Sequence, residues 1–116
     1  MTTRRIARTD LQERLRANAD LMLLEALPEK YYRDGHLPGA LHMPHDRVRE
    51  LAPALAPDRA AEIVVYCASD TCQNSHIAAN QLAQLGYTNV AVYAGGKKEW
   101  SEAGLPLERA EAAQAV

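Results

Sequence analysis

The stretch Val64–Leu82, VVYCASDTCQNSHIAANQL, begins as an apolar strand, breaks into small and polar residues, and resumes as a helix. The run EIVVYC (62–67) is nearly continuous in β-branched and apolar residues, a pattern typical of a strand in the middle of a parallel sheet. Apolar residues recur every three or four positions in SHIAANQLAQLGY (75–87), which predicts a helix ended by Gly86. Cys67 therefore stands where a central strand passes into the loop before a helix.

The same alternation of strands and helices extends along the rest of the chain. Short apolar runs predict strands at 21–26, 40–44 and 89–96. Helical spacing and end signals predict helices at 9–20, 28–35, 46–55 and 97–106. The first of these helices opens with Thr9 and Gln12 in the relation of a capping box. This order predicts an α/β fold with a central, mostly parallel sheet and helices on both faces.

Composition places the chain among folded soluble domains and argues against several functions. Its 116 residues are 47% hydrophobic and 24% charged, enough for one domain with its own core. The formal net charge of -2 argues against nucleic acid as a partner, and the basic opening TTRRIAR (2–8) is expected to be a solvated arm. The chain has no apolar run near the ~20 residues of a membrane span and no secretory signal pattern, so we expect no membrane partner and a cytoplasmic location.

The position of Cys67 predicts a reactive thiol. Ligands of open α/β sheets bind at the carboxyl ends of the strands, which is where Cys67 lies. Loop amides and the positive end of the next helix suit an anion there, and the same field lowers the pKa of a cysteine below its free value of about 8.5. The alternative, left open by position alone, is a small core residue at the end of a strand.

The chain resembles a single rhodanese-like domain, the sulfurtransferase fold, over residues 15–107. Three segments in the family's order carry the resemblance: YYRDGHLPGALHMP (31–44), VVYC (64–67) and YAGGKKEWSEAGLP (93–106). The resemblance implies that Cys67 is the catalytic nucleophile, which takes sulfane sulfur as a persulfide and passes it to a thiol or cyanide. It implies a small-molecule or protein sulfur donor, a thiol acceptor and no cofactor. We expect an N-terminal arm at 1–8, the rhodanese-like domain at 9–108 and a tail at 109–116.

The loop after Cys67 departs from the family pattern in length and charge. Ser75 lies eight positions after Cys67, about two further than is common, and no Arg or Lys stands between them. A longer loop in this superfamily is associated with phosphatases and arsenate reductases, but Asp70 would repel a phosphate dianion where an arginine fork is normally needed. Sulfur transfer therefore ranks above phosphatase chemistry. The expected substrate-binding loop consists of Ala68, Ser69, Asp70, Thr71, Gln73, Asn74 and Ser75.

Cys72 has two interpretations that the sequence leaves open. It is a candidate resolving thiol that attacks a persulfide or sulfenic acid on Cys67, or it is a small inert residue under the loop. A loop of this length can bring the two Cα atoms within the ~4.4–6.8 Å that a disulfide requires. We expect no metal site, because Cys67 and Cys72 lack the two-residue spacing of zinc knuckles and no His pair completes a tetrad.

Other residues of the resembling segments have structural expectations. The resemblance implies that His36 is a structural histidine bonded to backbone, and Trp100 is expected to pack in the core. Lys97 and Lys98 either are solvated or add positive potential near the site. Many family members end the first long strand with Asp-Val-Arg, whereas this chain has Glu25-Ala26-Leu27, so the usual arginine salt bridge is expected to be absent or replaced.

The sequence is compatible with two classes of function. The first is an enzyme, a sulfurtransferase acting through Cys67. The second is a non-catalytic module for interaction or redox sensing that uses Cys67 and Cys72, since rhodanese-like domains also serve as inactive interaction domains. Retention of the cysteine favours the enzyme.

Overall fold

One parallel sheet with β4 at its centre organises the molecule. The computed structural model describes residues 4–18 and 20–109. Its strands are β1 (Arg4–Arg5), β2 (Met22–Glu25), β3 (Leu41–His42), β4 (Ile63–Tyr66) and β5 (Val90–Tyr93). Every pairing between them is parallel, and their order in the sheet is β1-β5-β4-β2-β3. The expected central position of the 62–67 run is confirmed.

Helices cover both faces of this sheet. They are α1 (Arg8–Ala17), α2 (Glu29–Asp34), α3 (Val48–Leu55), α4 (Asn74–Gln84) and α5 (Gly96–Glu102). One core cluster packs α3 and α4 against the sheet through Val48, Ala52 and Leu82. The other packs α1 and α5 against the opposite face through Leu11 and Trp100. The α/β class predicted from the sequence is confirmed.

Strand β4 is buried on both sides, which explains its continuous apolar sequence. Its four residues are all 0% exposed. Ile63 and Val65 face the cluster beneath α3 and α4, whereas Val64 and Tyr66 face the cluster beneath α1 and α5. Since side chains alternate along a strand, a central strand covered on both faces needs apolar residues at every position.

The N-terminal boundary differs from the sequence expectation. Arg4–Arg5, expected within a solvated arm, pairs with β5, and the Ile6 N–H donates to the Val92 carbonyl at 3.0 Å. Helix α1 begins at Arg8 without a side-chain cap from Ala7, so the predicted capping box at Thr9 is wrong. The physical reason is that main-chain pairing with β5 sets the chain's entry into α1. Both residues of β1 are exposed arginines, so the sequence contains no apolar run that would predict a strand at this position.

The predicted apolar stripe of α4 is partly wrong. Ile77 is 40% exposed, whereas Ala78, Ala79 and Leu82 are buried. The helix packs against α3, β4 and β5 with its alanine side. Packing of these small side chains, rather than the position of the largest residues, decides which side of α4 is buried.

A buried ion pair joins β2 to α5 beside the carboxyl edge of the sheet. Glu25 is 0% exposed and accepts hydrogen bonds from the Tyr66 hydroxyl at 2.8 Å and the Lys97 ammonium at 3.3 Å. The ammonium also donates to the carbonyl oxygens of Tyr31 and Gly35, each at 2.8 Å. The Lys97 ammonium is therefore paired with Glu25 and bonded to two carbonyl oxygens rather than left in solvent.

Burial sets the pH response of this ion pair. Burial raises the pKa of the Glu25 carboxyl above its ordinary value, and the Lys97 ammonium and the Tyr66 hydroxyl oppose that rise. A carboxyl whose pKa is higher in the folded protein binds a proton more readily there than in the unfolded chain. Its contribution to stability is therefore greatest at low pH and declines as pH rises from the unfolded pKa, about 4.3, through the folded pKa.

We predict that Lys97→Met destabilises the protein by about 3 kcal/mol at pH 8, because it leaves a buried carboxylate without its cation. The loss should be smaller at pH 5, since the folded-state pKa of Glu25 rises further in the variant and protonation removes the buried charge. Thermal unfolding followed by circular dichroism at both pH values measures the effect as a fall in Tm of roughly 10–20 °C at pH 8.

Lys98→Met is the matched control, because Lys98 is the adjacent lysine of α5 and is exposed. Its effect on stability should stay within about 0.5 kcal/mol at either pH. Equal losses in the two variants, or a Lys97→Met loss that does not change with pH, would contradict the role assigned to the Glu25–Lys97 pair.

Candidate active site

Cys67 directly follows β4, and the first turn of α5 holds its backbone in place. The N–H groups of Lys97 and Lys98 donate to the carbonyl oxygens of Cys67 and Ala68, at 3.1 and 2.8 Å. On the other side, the Ala26 N–H donates to the Tyr66 carbonyl at 2.9 Å. The start of the loop is thus bonded to both neighbouring segments at the carboxyl edge of the sheet.

Gly96 is required for the close approach of α5 to the loop. Its φ is +64°, a left-handed conformation that favours glycine. A Cβ at this position would lie 2.9 Å from the Ala68 carbonyl carbon and closer still to the Cys67 carbonyl oxygen. The second glycine of the Gly-Gly motif therefore allows the backbone contact that fixes Cys67.

The loop turns back and brings the two cysteines together. The Cys72 N–H donates to the Ser69 carbonyl at 3.1 Å, and the hydroxyls of Ser69 and Thr71 share a hydrogen bond of 3.0 Å. Cys67 and Cys72 are joined as a disulfide with their Cα atoms 6.3 Å apart. This separation falls within the ~4.4–6.8 Å between Cα atoms that a disulfide requires.

Cys67 is more enclosed than the sequence suggests. Its residue surface is only 1% exposed, whereas Cys72 is half-buried. The reason is that Cys67 continues a fully buried strand, while Cys72 lies among exposed neighbours on the outer part of the loop. With its sulfur bonded to Cys72, Cys67 presents no nucleophile in this state.

Ser75 is the loop residue that the structure places beside the Cys67 sulfur. It is 1% exposed, lies in the first turn of α4, and has its Oγ 3.4 Å from Cys67 Sγ. A hydroxyl at this position can donate to the sulfur when Cys67 is a thiolate. The sequence included Ser75 in the loop but carried no signal for this contact, because it depends on how α4 packs against β4.

The other predicted loop residues form the outer wall of the site. Ala68, Asp70, Thr71 and Gln73 are exposed, and Ser69 and Asn74 are half-buried. These side chains are available to an approaching substrate or protein partner. Their roles in binding remain predictions.

Negative charge predominates in a cavity beside the loop. A shallow cavity of about 220 Å³ lies between the loop and α5, lined by Asp70, Gly95, Lys98, Glu99 and Glu102. Three carboxylates and one ammonium face this space. The resulting field opposes a multiply charged anion, in agreement with the expectation drawn from Asp70.

His36 and Trp100 have the structural roles expected of them. The His36 ring stacks on Tyr32 with centroids 3.9 Å apart, and its Nδ1 lies 2.8 Å from the Tyr32 carbonyl oxygen. Trp100 is 5% exposed, and its indole N–H donates to the Pro106 carbonyl at 2.9 Å. These residues stabilise the segments on either side of the site.

Neither a metal cluster nor a spanning helix is found in the part of the chain that the structure describes. Within residues 4–18 and 20–109, no group of three or more His, Cys, Asp and Glu side chains could hold a metal ion. The helices of these same residues lack the length and apolar character needed to cross a membrane.

Two relatives are similar in sequence to most of this chain. An HTH-type transcriptional regulator of Mycobacterium tuberculosis is 31% identical over 103 residues, which are 89% of this chain and 44% of the relative. A thiosulfate sulfurtransferase of Escherichia coli is 34% identical over 73 residues, 63% of this chain and 66% of the relative. The chain thus spans between about two fifths and two thirds of these relatives' lengths.

Solved structures share the fold. A thiosulfate sulfurtransferase from Pseudomonas aeruginosa superposes with a TM-score of 0.82 at 29% identity, covering 92% of this chain and 20% of that one. The rhodanese-like domain of an Anabaena protein superposes with a TM-score of 0.80 at 28% identity, covering 93% and 80% of the two chains. The profile of the rhodanese-like domain matches residues 7–103, which include β2 to β5 and the cysteine loop. With this fold, this cysteine position and this match over most of its length, the chain belongs to the rhodanese-like domain family.

Proposed function

We propose that this protein is a sulfurtransferase that moves sulfane sulfur from a donor, such as thiosulfate or a persulfide, to a thiol or cyanide through a persulfide on Cys67. The observation that carries the proposal is the position of Cys67 at the end of the central strand, with Ser75 and the beginning of α4 beside its sulfur. This arrangement suits a sulfur nucleophile because it offers hydrogen-bond donors to a negatively charged sulfur.

The names of similar proteins support the same chemistry. Thiosulfate sulfurtransferases occur among both the sequence relatives and the solved structures of this fold. Because the chain spans only part of these proteins, the activity enters here as a proposal for this chain's own site residues.

The proposed cycle begins with reduction of the Cys67–Cys72 disulfide, since a disulfide-bonded Cys67 has no nucleophile. The Cys67 thiolate then attacks the outer sulfur of the donor, and the donor leaves with the electron pair of the broken S–S bond, as sulfite when the donor is thiosulfate. An acceptor thiolate or cyanide next attacks the terminal sulfur of the persulfide, and Cys67 leaves as a thiolate. No external oxidant or cofactor is consumed in this transfer.

Main-chain and hydroxyl donors replace the missing base in this mechanism. The Ser75 hydroxyl and the positive end of α4 favour the thiolate over the thiol, and they outweigh the Cys72 carbonyl oxygen that lies 3.4 Å from the sulfur, so no histidine is needed to remove a proton. The carboxylates of the cavity beside the loop repel a thiosulfate dianion more strongly than a donor of low negative charge. A persulfide or a thiol-bound sulfur is therefore the better donor class.

The second candidate is a non-catalytic module for interaction or redox sensing. The similarity to a transcriptional regulator and the Cys67–Cys72 disulfide favour this alternative. In a sensor, the loop would report thiol oxidation through its change of shape and charge rather than release a product. We assign either function to the cytoplasm, because the thiols must be reduced for the site to work.

We predict that Cys67→Ser abolishes sulfur transfer to cyanide and leaves the fold intact, since serine is close to cysteine in size and its hydroxyl has the Cys72 carbonyl and the Ser75 hydroxyl as neighbours at the end of β4. Intact-mass spectrometry after treatment with thiosulfate or polysulfide should show one added sulfur on reduced Cys72→Ser protein, in which Cys67 is the only thiol, and none on Cys67→Ser. Circular dichroism and thermal unfolding of the reduced proteins check the fold.

Unchanged turnover in Cys67→Ser would remove Cys67 from the mechanism. If Cys72→Ser protein acquires no sulfur from either donor while its thiol alkylates normally, the interaction or sensing module becomes the better description.

We predict that the Ser75 hydroxyl stabilises the Cys67 thiolate relative to the thiol. In a Cys72→Ser background, where Cys67 is the only thiol, Cys67 should alkylate with iodoacetamide at pH 7 faster than free cysteine. Ser75→Ala in that background should slow alkylation by about three- to tenfold, because it removes a hydrogen bond to the charged sulfur worth roughly 1 kcal/mol.

Thr88→Ala serves as the control for this experiment, since it removes an exposed hydroxyl near the opposite end of the sheet. An alkylation rate that Ser75→Ala leaves unchanged would show that the hydroxyl does not stabilise the thiolate.

We also predict negligible hydrolysis of aryl phosphates. The loop has no arginine to bind the equatorial oxygens, and Asp70 opposes a dianion. Phosphatase assays of reduced wild type and Cys67→Ser test this directly. Turnover that requires Cys67, together with no sulfur transfer, would instead support a cysteine phosphatase or arsenate reductase.

A further inference from the structure

The pairing of Cys67 and Cys72 assigns a chemical task to the second cysteine. The Cys72 sulfur contacts the one sulfur that would carry a persulfide, and the two thiols are the chain's full set of cysteines. The Cys72 N–H donates to the Ser69 carbonyl, and this hydrogen bond lies within the loop itself. The contact between the two sulfurs therefore depends on the loop's own conformation. An inert residue tucked under the loop would not be bonded to the nucleophile.

We propose that Cys72 resolves the Cys67 persulfide and releases its sulfane sulfur as hydrosulfide, so that the site works as a dithiol-dependent sulfide-releasing enzyme. The inference rests on the proposed function, because it requires that Cys67 acquire a persulfide. It goes further by naming the product, the reductant class and the residue that directs the sulfur to sulfide.

The step balances without an outside oxidant. Cys72 attacks Sγ of Cys67, the bond between that Sγ and the terminal sulfur breaks, and the terminal sulfur leaves with the electron pair. The proton of the Cys72 thiol goes to this leaving sulfur, which departs as HS⁻. The sulfane sulfur is reduced, the two cysteine sulfurs are oxidised to the disulfide, and the charge is the same on both sides.

Geometry selects the sulfur that is attacked. Attack on the terminal sulfur would only move the persulfide to Cys72, whereas attack on Cys67 Sγ forms the disulfide that the structure contains. Which sulfur reacts in such exchanges depends on access, and Cys72 Sγ lies directly against Cys67 Sγ.

A dithiol then returns the site to its starting state. Cys72 is half-buried between exposed Thr71 and Gln73, whereas Cys67 is 1% exposed, so an incoming thiolate meets Cys72 first. The resulting mixed disulfide is resolved by the second thiol of the reductant, which leaves as a disulfide and restores both protein thiols. With thiosulfate as donor, one cycle converts thiosulfate and a dithiol into sulfite, hydrosulfide and a disulfide.

The test is a single-turnover experiment on the full chain. Reduced protein freed of reductant is mixed with one equivalent of thiosulfate, or of inorganic polysulfide in a parallel series, and sulfide is measured by bimane derivatisation alongside intact mass. Wild type should release sulfide nearly equal in amount to the protein and lose the mass of two hydrogens. Cys72→Ser should gain one sulfur, release none until a thiol is added, and keep its transfer to cyanide.

Two further variants make the result specific. Cys72→Ala guards against a fold defect in the serine variant and should behave identically, with thermal unfolding of each reduced protein as the check. Cys72→Ser/Thr88→Cys restores the number of thiols at an exposed position near the amino end of β5. It should retain the persulfide, because the displaced thiol cannot reach Cys67.

The outcomes separate this inference from the function on which it rests. A stable persulfide on wild type without disulfide, or equal sulfide release from Cys72→Ser without added thiol, overturns the resolving role and leaves sulfur transfer standing. If neither wild type nor Cys72→Ser acquires sulfur from either donor, sulfur transfer and resolution are both overturned.

Discussion

Lys97 holds the candidate site to the rest of the molecule in two ways. Its backbone N–H donates to the Cys67 carbonyl, while its ammonium is paired with the buried Glu25 carboxylate at the end of β2. The same lysine therefore joins the cysteine loop, α5 and the sheet. Because a buried carboxylate is costly without a cation, α5 cannot leave the sheet edge without exposing or neutralising Glu25. Gly96 completes this arrangement by allowing the two backbones to approach closely.

The rigid base supports a loop whose chemistry depends on its redox state. With Cys67 and Cys72 joined, the nucleophile is enclosed and unreactive. Reduction frees a sulfur that lies beside the Ser75 hydroxyl and the beginning of α4. The length of the loop, which by itself would suit an oxyanion, is used in this chain to place a second thiol. Charge also disfavours an oxyanion, since the loop contains no arginine and three carboxylates line the cavity beside it.

The loop contains both the proposed sulfur-carrying residue, Cys67, and the proposed resolving residue, Cys72. In the proposed mechanism a persulfide and a disulfide are alternative states of Cys67, so transfer to an external acceptor would compete with resolution by Cys72. Cys72 belongs to the same loop as Cys67 and needs no entry to the site, whereas an external acceptor must reach a residue that is 1% exposed. The disulfide and the persulfide suit a regulatory protein as well as a sulfurtransferase. Whether Cys67 acquires and passes on sulfur therefore distinguishes the two functions.

The α/β class, the central strand, the cysteine at its end and the family could all be predicted from the amino-acid sequence, because hydrophobic periodicity and the order of three motifs are local signals. Three features appear only in the folded molecule: Lys97 pairs with the buried Glu25, Ser75 contacts the Cys67 sulfur, and Arg4–Arg5 joins the sheet. Each of these joins residues far apart in sequence or depends on main-chain pairing or helix packing that leaves no pattern in the letters. Such contacts follow from the way helices pack on the sheet, and a linear pattern does not record that packing.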